Sequence, residues 1–251
     1  MLVMGILNVT PDSFADGGKH NDFESAVARG LQMISEGVDI IDIGGESTRP
    51  GADRVSEEEE IARTIPVIKE LAKHGAKISI DTMRASTAKA AITAGASIIN
   101  DVSGGLADPS MLQTAAELKV PYIAMHWRGQ SKDMNSKAVY GDVVSDVISE
   151  LQERISAALD AGITAENLII DPGLGFAKDA DHNWAIIDAI DQFVTLGYPV
   201  LVGASRKRFL GGDTPDEREQ ATIELTKRLA PTGVWAVRVH SVKPHKEVLS
   251  V

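Results

Sequence analysis

The chain has 251 residues, of which 43% are hydrophobic and 24% are charged, a composition that is ordinary for a folded protein and excludes a largely disordered chain. Its formal net charge of -11 argues against nucleic acid or an anionic membrane surface as the main partner. The sequence has no cysteine, which excludes a disulfide scaffold and a thiolate metal site.

The start of the chain, MLVMGILNVTPDSF, has neither the basic region nor the small-residue cleavage site of a secretory signal peptide. No apolar run approaches the roughly 18 residues that a membrane-spanning helix needs. We therefore expect a cytoplasmic protein with no membrane partner.

Eight short apolar runs, rich in Ile and Val, follow one another along the chain, and each ends abruptly in polar residues. They are LVMGILN (2–8), VDIIDIGG (38–45), AKISIDT (76–82), ASIINDV (96–102), VPYIAMH (120–126), NLIIDPG (167–173), YPVLVGASRK (198–207) and VWAVRVH (234–240). Runs of this kind are typical of strands that are buried on both faces, as in a parallel sheet.

Helical periodicity fills the intervals between these runs. The segment after the second run, for example, begins with Ser56 and Glu59 in capping-box spacing and then places Ile61, Ile65 and Ile68 on one face. Eight strands alternating with helices over about 250 residues are the pattern of a (β/α)8 barrel. An open doubly wound sheet would usually show a glycine-rich turn after its first strand, and NVTPDSF is not one. We predict an α/β fold, a single (β/α)8 TIM barrel domain over residues 1–251.

The catalytic groups of such barrels lie at the C-terminal ends of the strands. In chain order these ends supply Asn8, the loop 46–50, Asp81, Asn100, Asp101, Met125, His126, Asp171, the segment 205–207, Arg238 and His240. Because all eight ends meet at one mouth of the barrel, we predict an active site there. Asp101, which precedes VSGG, is interpreted as a turn cap, and His126 and His245 as structural or solvated residues.

One group of strand-end residues combines carboxylates with an amide. Asp81, Asn100 and Asp171 come from the third, fourth and sixth runs, so they line one side of the mouth. A carboxylate accepts two parallel N–H bonds and Asn both donates and accepts. These residues therefore suit a flat heterocycle with adjacent N–H donors, such as an aminopyrimidinone ring. A divalent metal site and simple capping are the alternatives for the same residues.

A second group is cationic. Its members are Asn8, Thr48, Arg49, Lys207, Arg238 and His240. They come from the first, second, seventh and eighth runs, which are neighbours around a closed barrel. Such an arc suits phosphate or pyrophosphate. Arg238 stands inside the apolar run VWAVRV, where a surface charge would be out of place, and residues 238 and 240 point the same way on a strand.

The loop after the first run, NVTPDSFADGG, is built like a lid, since turn-forming residues surround one apolar side chain, Phe14. An ordinary spacer would not expose a phenylalanine. The second loop, ESTRPGA, is richer in polar groups than a turn requires, and Glu46 receives no role from the sequence.

Several of these motifs together resemble the dihydropteroate synthase family. They are MGILNVTPDSFADGG, DIGGESTRPGA, SIDTMRASTAKAA, IINDVSGG, AMHWRG, LIIDPGLGFAK, GASRKRFLG and VRVH, and they extend in family order from Val3 to His240. The resemblance implies a transferase that joins 6-hydroxymethyl-7,8-dihydropterin pyrophosphate to p-aminobenzoate, giving 7,8-dihydropteroate and pyrophosphate. It also implies Mg²⁺ as cofactor, a homodimer, and inhibition by sulfonamides, which mimic p-aminobenzoate.

The resemblance also implies a role for each matching residue. The pterin would be held by Asp81, Asn100, Asp171 and Lys207, in a slot shaped by Met125, Phe176 and Gly203. The pyrophosphate end would meet Thr48, Arg49, Arg238 and His240, and Mg²⁺ would meet Asn8. Phe14, Pro50 and Ser205 would frame p-aminobenzoate, and Lys207, Arg238 and His240 would be the catalytic residues. If the two groups form separate subsites, removing Arg238 should block turnover and spare binding of a pterin without pyrophosphate.

Three alternatives remain beside this interpretation. A methyltetrahydrofolate-type methyltransferase domain would need the acidic trio and not the pyrophosphate arc or ESTRPG. A phosphosugar barrel would typically carry a glycine-rich phosphate loop, which GASRKRF matches poorly. A non-catalytic pterin-binding paralogue could keep every motif. The chain departs from the family pattern at Ser241, where aspartate is common.

Overall fold

Eight parallel strands build the centre of the protein. They are β1 (Leu2–Asn8), β2 (Ile40–Gly44), β3 (Ile78–Asp81), β4 (Ile98–Asp101), β5 (Tyr122–Met125), β6 (Leu168–Asp171), β7 (Leu201–Val202) and β8 (Ala236–Val239). The computed structural model describes residues 1–9, 19–46, 54–130 and 134–250. Each strand falls within one of the eight apolar runs, so the predicted strands are confirmed.

The strands form one sheet in the order β6-β5-β4-β3-β2-β1-β8-β7. β1 pairs with both β2 and β8, which brings the first and last strands together. The remaining gap, between β6 and β7, is closed by a parallel bridge between Ile170 and Val200, and Ile170 N donates to Pro199 O at 2.9 Å. We call this junction the seam. The sheet therefore closes into the predicted (β/α)8 barrel.

Helices cover the outside of the barrel. In the part of the chain that the structure describes, they are α1 (Lys19–Ser35), α2 (Glu57–Ala72), α3 (Ala85–Ala94), α4 (Met111–Leu118), α5 (Val143–Asp160), α6 (Ala180–Asp188), α7 (Ile190–Val194), α8 (Glu217–Leu229) and α9 (Lys243–Leu249). Ser56 caps α2 as the sequence predicts, since its hydroxyl accepts from Glu59 N at 3.2 Å. Among these helices there is none with the length and apolar character to cross a bilayer.

The two faces of each strand have different surroundings, because successive side chains point alternately outward to the helices and inward to the barrel. Outward residues such as Ile41, Ile43 and Ile80 pack against the helices in the main core. Inward residues at the lower end form an apolar floor inside the barrel, which consists of Met4, Ile40, Ile98, Ile123, Ile169, Leu201 and Ala236. The next inward position, two residues further along, is polar on several strands, and this alternation positions the site.

Candidate active site

A ring of polar side chains stands directly above the apolar floor. Its members are Asp42, Asp81, Asn100, Asp171 and Arg238, each facing inward near the C-terminal end of its strand. Arg238 connects two of them: its Nε donates to Asp42 Oδ2 at 2.6 Å and its Nη2 to Asp81 Oδ2 at 2.7 Å. Asn100 Nδ2 also donates to Asp42 Oδ2, at 3.1 Å. One guanidinium therefore bridges carboxylates of two strands.

This bridge changes the division drawn from the sequence, which placed Asp81 and Arg238 in separate groups. Both side chains point into a narrow barrel, and the long arginine of β8 reaches past β1 to β2 and β3. Asp42 was missed. The signal was present, because an aspartate between the isoleucines of IIDIG is as unusual as the arginine of VWAVRV, and the same alternation turns it inward.

Burial controls the charge of this ring. Removal from water raises the pKa of Asp81 to about 7, Arg238 opposes the rise, and the negative charge of Asp42 adds to it. Asp42 Oδ1 and Ser79 Oγ, which are register neighbours on β2 and β3, are both buried without a hydrogen-bond partner in the described part of the chain. The bottom of the ring thus keeps unused hydrogen-bonding capacity, which is costly in a folded interior.

Asp171 presents one oxygen to the mouth. It is 5% exposed, and its Oδ1 accepts from Gly173 N at 2.7 Å. A Cβ placed on Gly203 would lie 3.8 Å from Asp171 Oδ2, so the glycine leaves open space beside that oxygen. Burial raises the pKa of Asp171, and the Gly173 N–H and Lys207 counteract it. Oδ2 is therefore the acceptor that a ligand can reach.

Lys207 reaches across the seam from the turn that follows β7. Its Nζ donates to Leu174 O in the loop after β6 and lies 4.8 Å from the centroid of the Phe176 ring. Burial lowers its pKa to about 8, and the carboxylate of Asp171 opposes the change. The positive charge of the lysine and the negative charge of Asp171 influence each other across the seam.

An apolar cluster faces the polar ring. Met125 packs with Met83 and Val102, and Phe176 and Trp127 pack against that cluster. Met125, Phe176 and Gly203, predicted to shape a slot, thus lie around the same opening as Asp171. A planar heterocycle with polar edges suits a site with one apolar wall and one polar rim.

Ser205 and His240 meet at the rim between β7 and β8. Ser205 Oγ lies 2.9 Å from His240 Nδ1 and accepts from His240 N at 3.2 Å. Arg29 donates to His240 O at 2.9 Å. The contact between Ser205 and His240 joins a residue predicted for p-aminobenzoate to one predicted for the pyrophosphate end. The two predicted regions therefore adjoin.

Asn8 ends β1 beside Gly44, its register partner. A Cβ on Gly44 would lie 3.8 Å from Asn8 Oδ1 and 3.6 Å from Asp81 Oδ2, so the glycine leaves room between the two oxygens. Among the described residues, no group of three or more acidic, His or Cys side chains could hold a metal by itself. Mg²⁺ prefers oxygen ligands and often keeps waters and substrate phosphates. Asn8 therefore fits a magnesium site that a substrate would complete.

Four predicted residues, Phe14, Thr48, Arg49 and Pro50, lie outside the described residues. Their contacts with p-aminobenzoate and pyrophosphate stay predictions.

Glu46 belongs to a buried ion network. Its carboxylate meets Arg54 Nε at 2.9 Å and Arg84 Nη1 at 2.8 Å. Arg84 also pairs with Glu60, which is 1% exposed, and donates to Val55 O at 2.5 Å. Residues 46 and 54 flank the segment 47–53, so Glu46 ties the two ends of that segment together at the start of α3.

Replacing Arg84 with methionine is expected to lower the free energy of unfolding by about 3–5 kcal/mol, because Glu60 and Glu46 would be left buried without their cation. Urea unfolding followed by circular dichroism measures the change. Lys73→Met removes an exposed pair with Glu70 and serves as the control, which should unfold like the wild type. Equal stability of the two variants would contradict the network's importance.

Asp101 and His245 have structural roles, in agreement with their interpretation from the sequence. Asp101 is buried and accepts from Ser103 N, Ser103 Oγ, Gly105 N and Tyr122 Oη at 2.7–2.8 Å. His245 is buried, and its Nδ1 lies 2.8 Å from Thr226 Oγ1. Ser241, where the resemblance leads us to expect aspartate, accepts from Arg206 Nη2 at 2.9 Å.

Comparisons with known proteins agree with this geometry. A family model described as "Pterin binding enzyme" matches residues 4–240. The dihydropteroate synthase of Mycobacterium leprae is 48% identical over 99% of this chain and 91% of that protein.

Solved structures give the same result. Dihydropteroate synthase from Xanthomonas albilineans with 4-aminobenzoic acid is 44% identical, with a TM-score of 0.93 over 99% of this chain and 90% of that one. The same protein with 7,8-dihydropteroate gives a TM-score of 0.90 at 40% identity, covering 99% and 91%. The Yersinia pestis enzyme with a sulfonamide drug gives 0.93 at 39% identity, covering 99% and 92%.

Proposed function

The chain belongs to the pterin-binding enzyme family, and from this premise we propose that it works as a dihydropteroate synthase. In this reaction the amine of p-aminobenzoate displaces pyrophosphate from 6-hydroxymethyl-7,8-dihydropterin pyrophosphate, and 7,8-dihydropteroate forms. The observation that carries the proposal is the open Oδ2 of Asp171 beside Lys207, within a ring that also holds Asp81, Asn100 and Arg238.

The ring recognises the heterocycle by offering acceptors. Asn100 donates its Nδ2 to Asp42, so its Oδ1 is left to accept an N–H of the pterin. Asp171 Oδ2 accepts a second N–H from the same edge, and the wall of Met125 and Phe176 covers the ring face. A site with fixed acceptors rejects flat molecules that lack the matching donors.

The chemical step is a substitution at the methylene carbon of the pterin. The nitrogen lone pair of p-aminobenzoate forms the new C–N bond, the C–O bond breaks, and pyrophosphate leaves with that electron pair. The attacking amine then releases a proton to solvent. Because the dihydropterin delocalises positive charge, the bond to pyrophosphate can weaken before attack, and the protein orients the partners and binds the leaving anion. No covalent enzyme intermediate is needed.

We assign the anion to Lys207, Arg238 and His240 together with Thr48 and Arg49, and p-aminobenzoate to Ser205 with Phe14 and Pro50. Asn8 would hold Mg²⁺, which when bound neutralises pyrophosphate oxygens. Sulfonamides would occupy the p-aminobenzoate position. By the same resemblance, we propose a homodimer. The net charge of -11 and the lack of cysteine support our further proposal of a cytoplasmic location with no nucleic-acid or membrane partner.

We expect kcat/KM to follow a bell-shaped dependence on pH with its maximum between about 7 and about 8. Asp81 must be ionised to accept hydrogen bonds, and burial raises its pKa to about 7, so activity rises as the pH increases through this value. Lys207 must be protonated, and burial lowers its pKa to about 8, so activity falls at higher pH.

Initial rates of pyrophosphate release from about pH 5.5 to about pH 9.5 test this profile. Lys207→Arg should move the basic limb to higher pH, because a guanidinium stays protonated throughout the range. A profile that is flat between about pH 6 and about pH 9 would contradict the assignment.

The function itself is tested by a coupled assay of pyrophosphate release with dihydropterin pyrophosphate and p-aminobenzoate, with and without Mg²⁺. Turnover that requires both substrates supports the synthase. A folded protein that binds the pterin and releases no pyrophosphate would be a non-catalytic paralogue. Methyl transfer from methyltetrahydrofolate in place of pyrophosphate release would identify the methyltransferase alternative.

A further inference from the structure

A buried amine lies behind the loop that follows β6, outside the polar ring. Lys178 is 8% exposed. Its Nζ lies 2.9 Å from His126 Nδ1 and donates to Gly173 O at 3.0 Å and to Phe176 O at 3.1 Å. An ammonium has three donors and no acceptor, so these three bonds use its full capacity.

His126 is the neutral partner of this ammonium. Nδ1 accepts from Lys178, so Nε2 carries the ring proton and donates to Glu150 Oε2 at 2.9 Å. Burial lowers the pKa of His126 to about 4, and the charge of Lys178 acts in the same direction. Arg128 in turn donates to both oxygens of Glu150. The amine is therefore anchored to α5 through a continuous chain of contacts.

The loop that Lys178 holds, residues 173–176, forms part of the slot. Both backbone groups of Gly173 make hydrogen bonds: its N–H donates to Asp171 Oδ1, and its carbonyl accepts from Lys178 Nζ. A Cβ on Gly173 would lie 2.4 Å from His126 O, so the loop packs directly on the backbone after β5. The carbonyl of Phe176 binds Lys178 while its ring faces Lys207.

We propose that Lys178 is a positioning residue of the pterin subsite, whose ammonium holds the 173–176 loop so that Asp171 Oδ2 and the Phe176 ring face the heterocycle. The inference rests on the proposed function, because it concerns the same subsite. Lys178 acts through the loop and does not bind the substrate itself, because its three N–H donors already bond Gly173, Phe176 and His126.

The charges around Lys178 fit this assignment. Burial lowers the pKa of Lys178 to about 7, and while Asp171 and Glu150 oppose this shift, Lys207 and Arg128 add to it. Burying this charge is costly, and the three hydrogen bonds of Nζ offset part of that cost. Two of those bonds go to the carbonyls of the slot loop.

The test compares Lys178→Met and Lys178→Gln with the wild type in the pyrophosphate-release assay. Methionine fills similar space without donors, and we expect it to raise the KM for dihydropterin pyrophosphate at least about tenfold while kcat stays within about threefold. Glutamine keeps two N–H donors and should give a smaller rise. The KM for p-aminobenzoate should not change in either variant. Lys227→Met on α8, an exposed site, is the control.

The outcomes separate the inference from the function on which it rests. If the wild type shows no turnover, the proposed function fails. If the wild type turns over and the pterin KM of the methionine variant is unchanged, the inference is overturned. A fall in kcat alone, or an equal rise of both KM values, also overturns it, because these results indicate chemistry or general damage. Should the methionine variant not fold, the pterin KM of the glutamine variant decides in the same way.

Discussion

Replacing Asp171 with asparagine is expected to lower kcat/KM by at least about a thousandfold, because the change turns an acceptor into a donor at the point where the substrate also donates. Gly173 N–H needs an acceptor, and at present it has Asp171 Oδ1 at 2.7 Å. The amide oxygen of asparagine must stay at that position, so its NH2 group is forced toward the opening beside Gly203. The NH2 group of asparagine and the N–H group of the pterin would then face each other, two donors without an acceptor.

Steady-state kinetics with pyrophosphate release as the signal measure the loss. The melting temperature should change little, since a neutral side chain is easier to bury there and this gain opposes the loss of attraction for Lys207 and Lys178. Asp160→Asn, at the exposed end of α5, controls for the loss of one negative charge and should keep normal activity. A variant of residue 171 with kcat/KM within about tenfold of the wild type would show that Oδ2 does not bind substrate.

Replacing Arg238 with methionine is expected to reduce turnover by about a thousandfold and also to weaken binding of a pterin that lacks pyrophosphate. Without the guanidinium, Asp42 and Asp81 would stand unpaired in the barrel interior. Arg238 lowers the pKa of Asp81, so its removal moves that pKa above about 7 and leaves the acid neutral at physiological pH. If the two subsites are separate, as the sequence suggested, pterin affinity should survive the change. The ion pairs of Arg238 with Asp42 and Asp81 predict instead that pterin affinity falls.

Fluorescence titration with 6-hydroxymethyl-7,8-dihydropterin at several pH values distinguishes these expectations. The variant should also lose about 3–5 kcal/mol of unfolding free energy, as buried ion pairs do when one partner is removed. Arg228→Met breaks an exposed pair with Asp188 and provides a matched control. Unchanged pterin affinity in a folded variant would restore the idea of two independent subsites.

The fold was predictable because its signal is local. Each apolar run contains one strand, and the polar residues at the run ends mark the mouth of the barrel. The lengths were less predictable. The run 198–207 contains only Leu201–Val202 as strand, since Pro199 has no N–H to donate and the chain turns after Gly203 to place Lys207.

The partners of the site residues were not predictable, because they depend on how distant strands meet. Arg238 and Asp42 are 196 positions apart, and only barrel closure brings them together. Glu46 received no role from the sequence for the same reason, since its partner Arg84 lies 38 positions further along the chain, just before α3. Lys178 stands after the strand in a stretch that reads as an ordinary loop, and only its burial marks it.

The seam is the place where a bound substrate is expected to stabilise the barrel. Among the described residues, β6 and β7 are joined by one bridge, between Ile170 and Val200, and the site residues Asp171 and Lys207 lie on opposite sides of it. Local opening is easiest where few hydrogen bonds must break, and a ligand that binds the closed form stabilises it. A pterin held by both side chains is therefore expected to slow amide exchange in β6 and β7 and to stabilise the closed sheet.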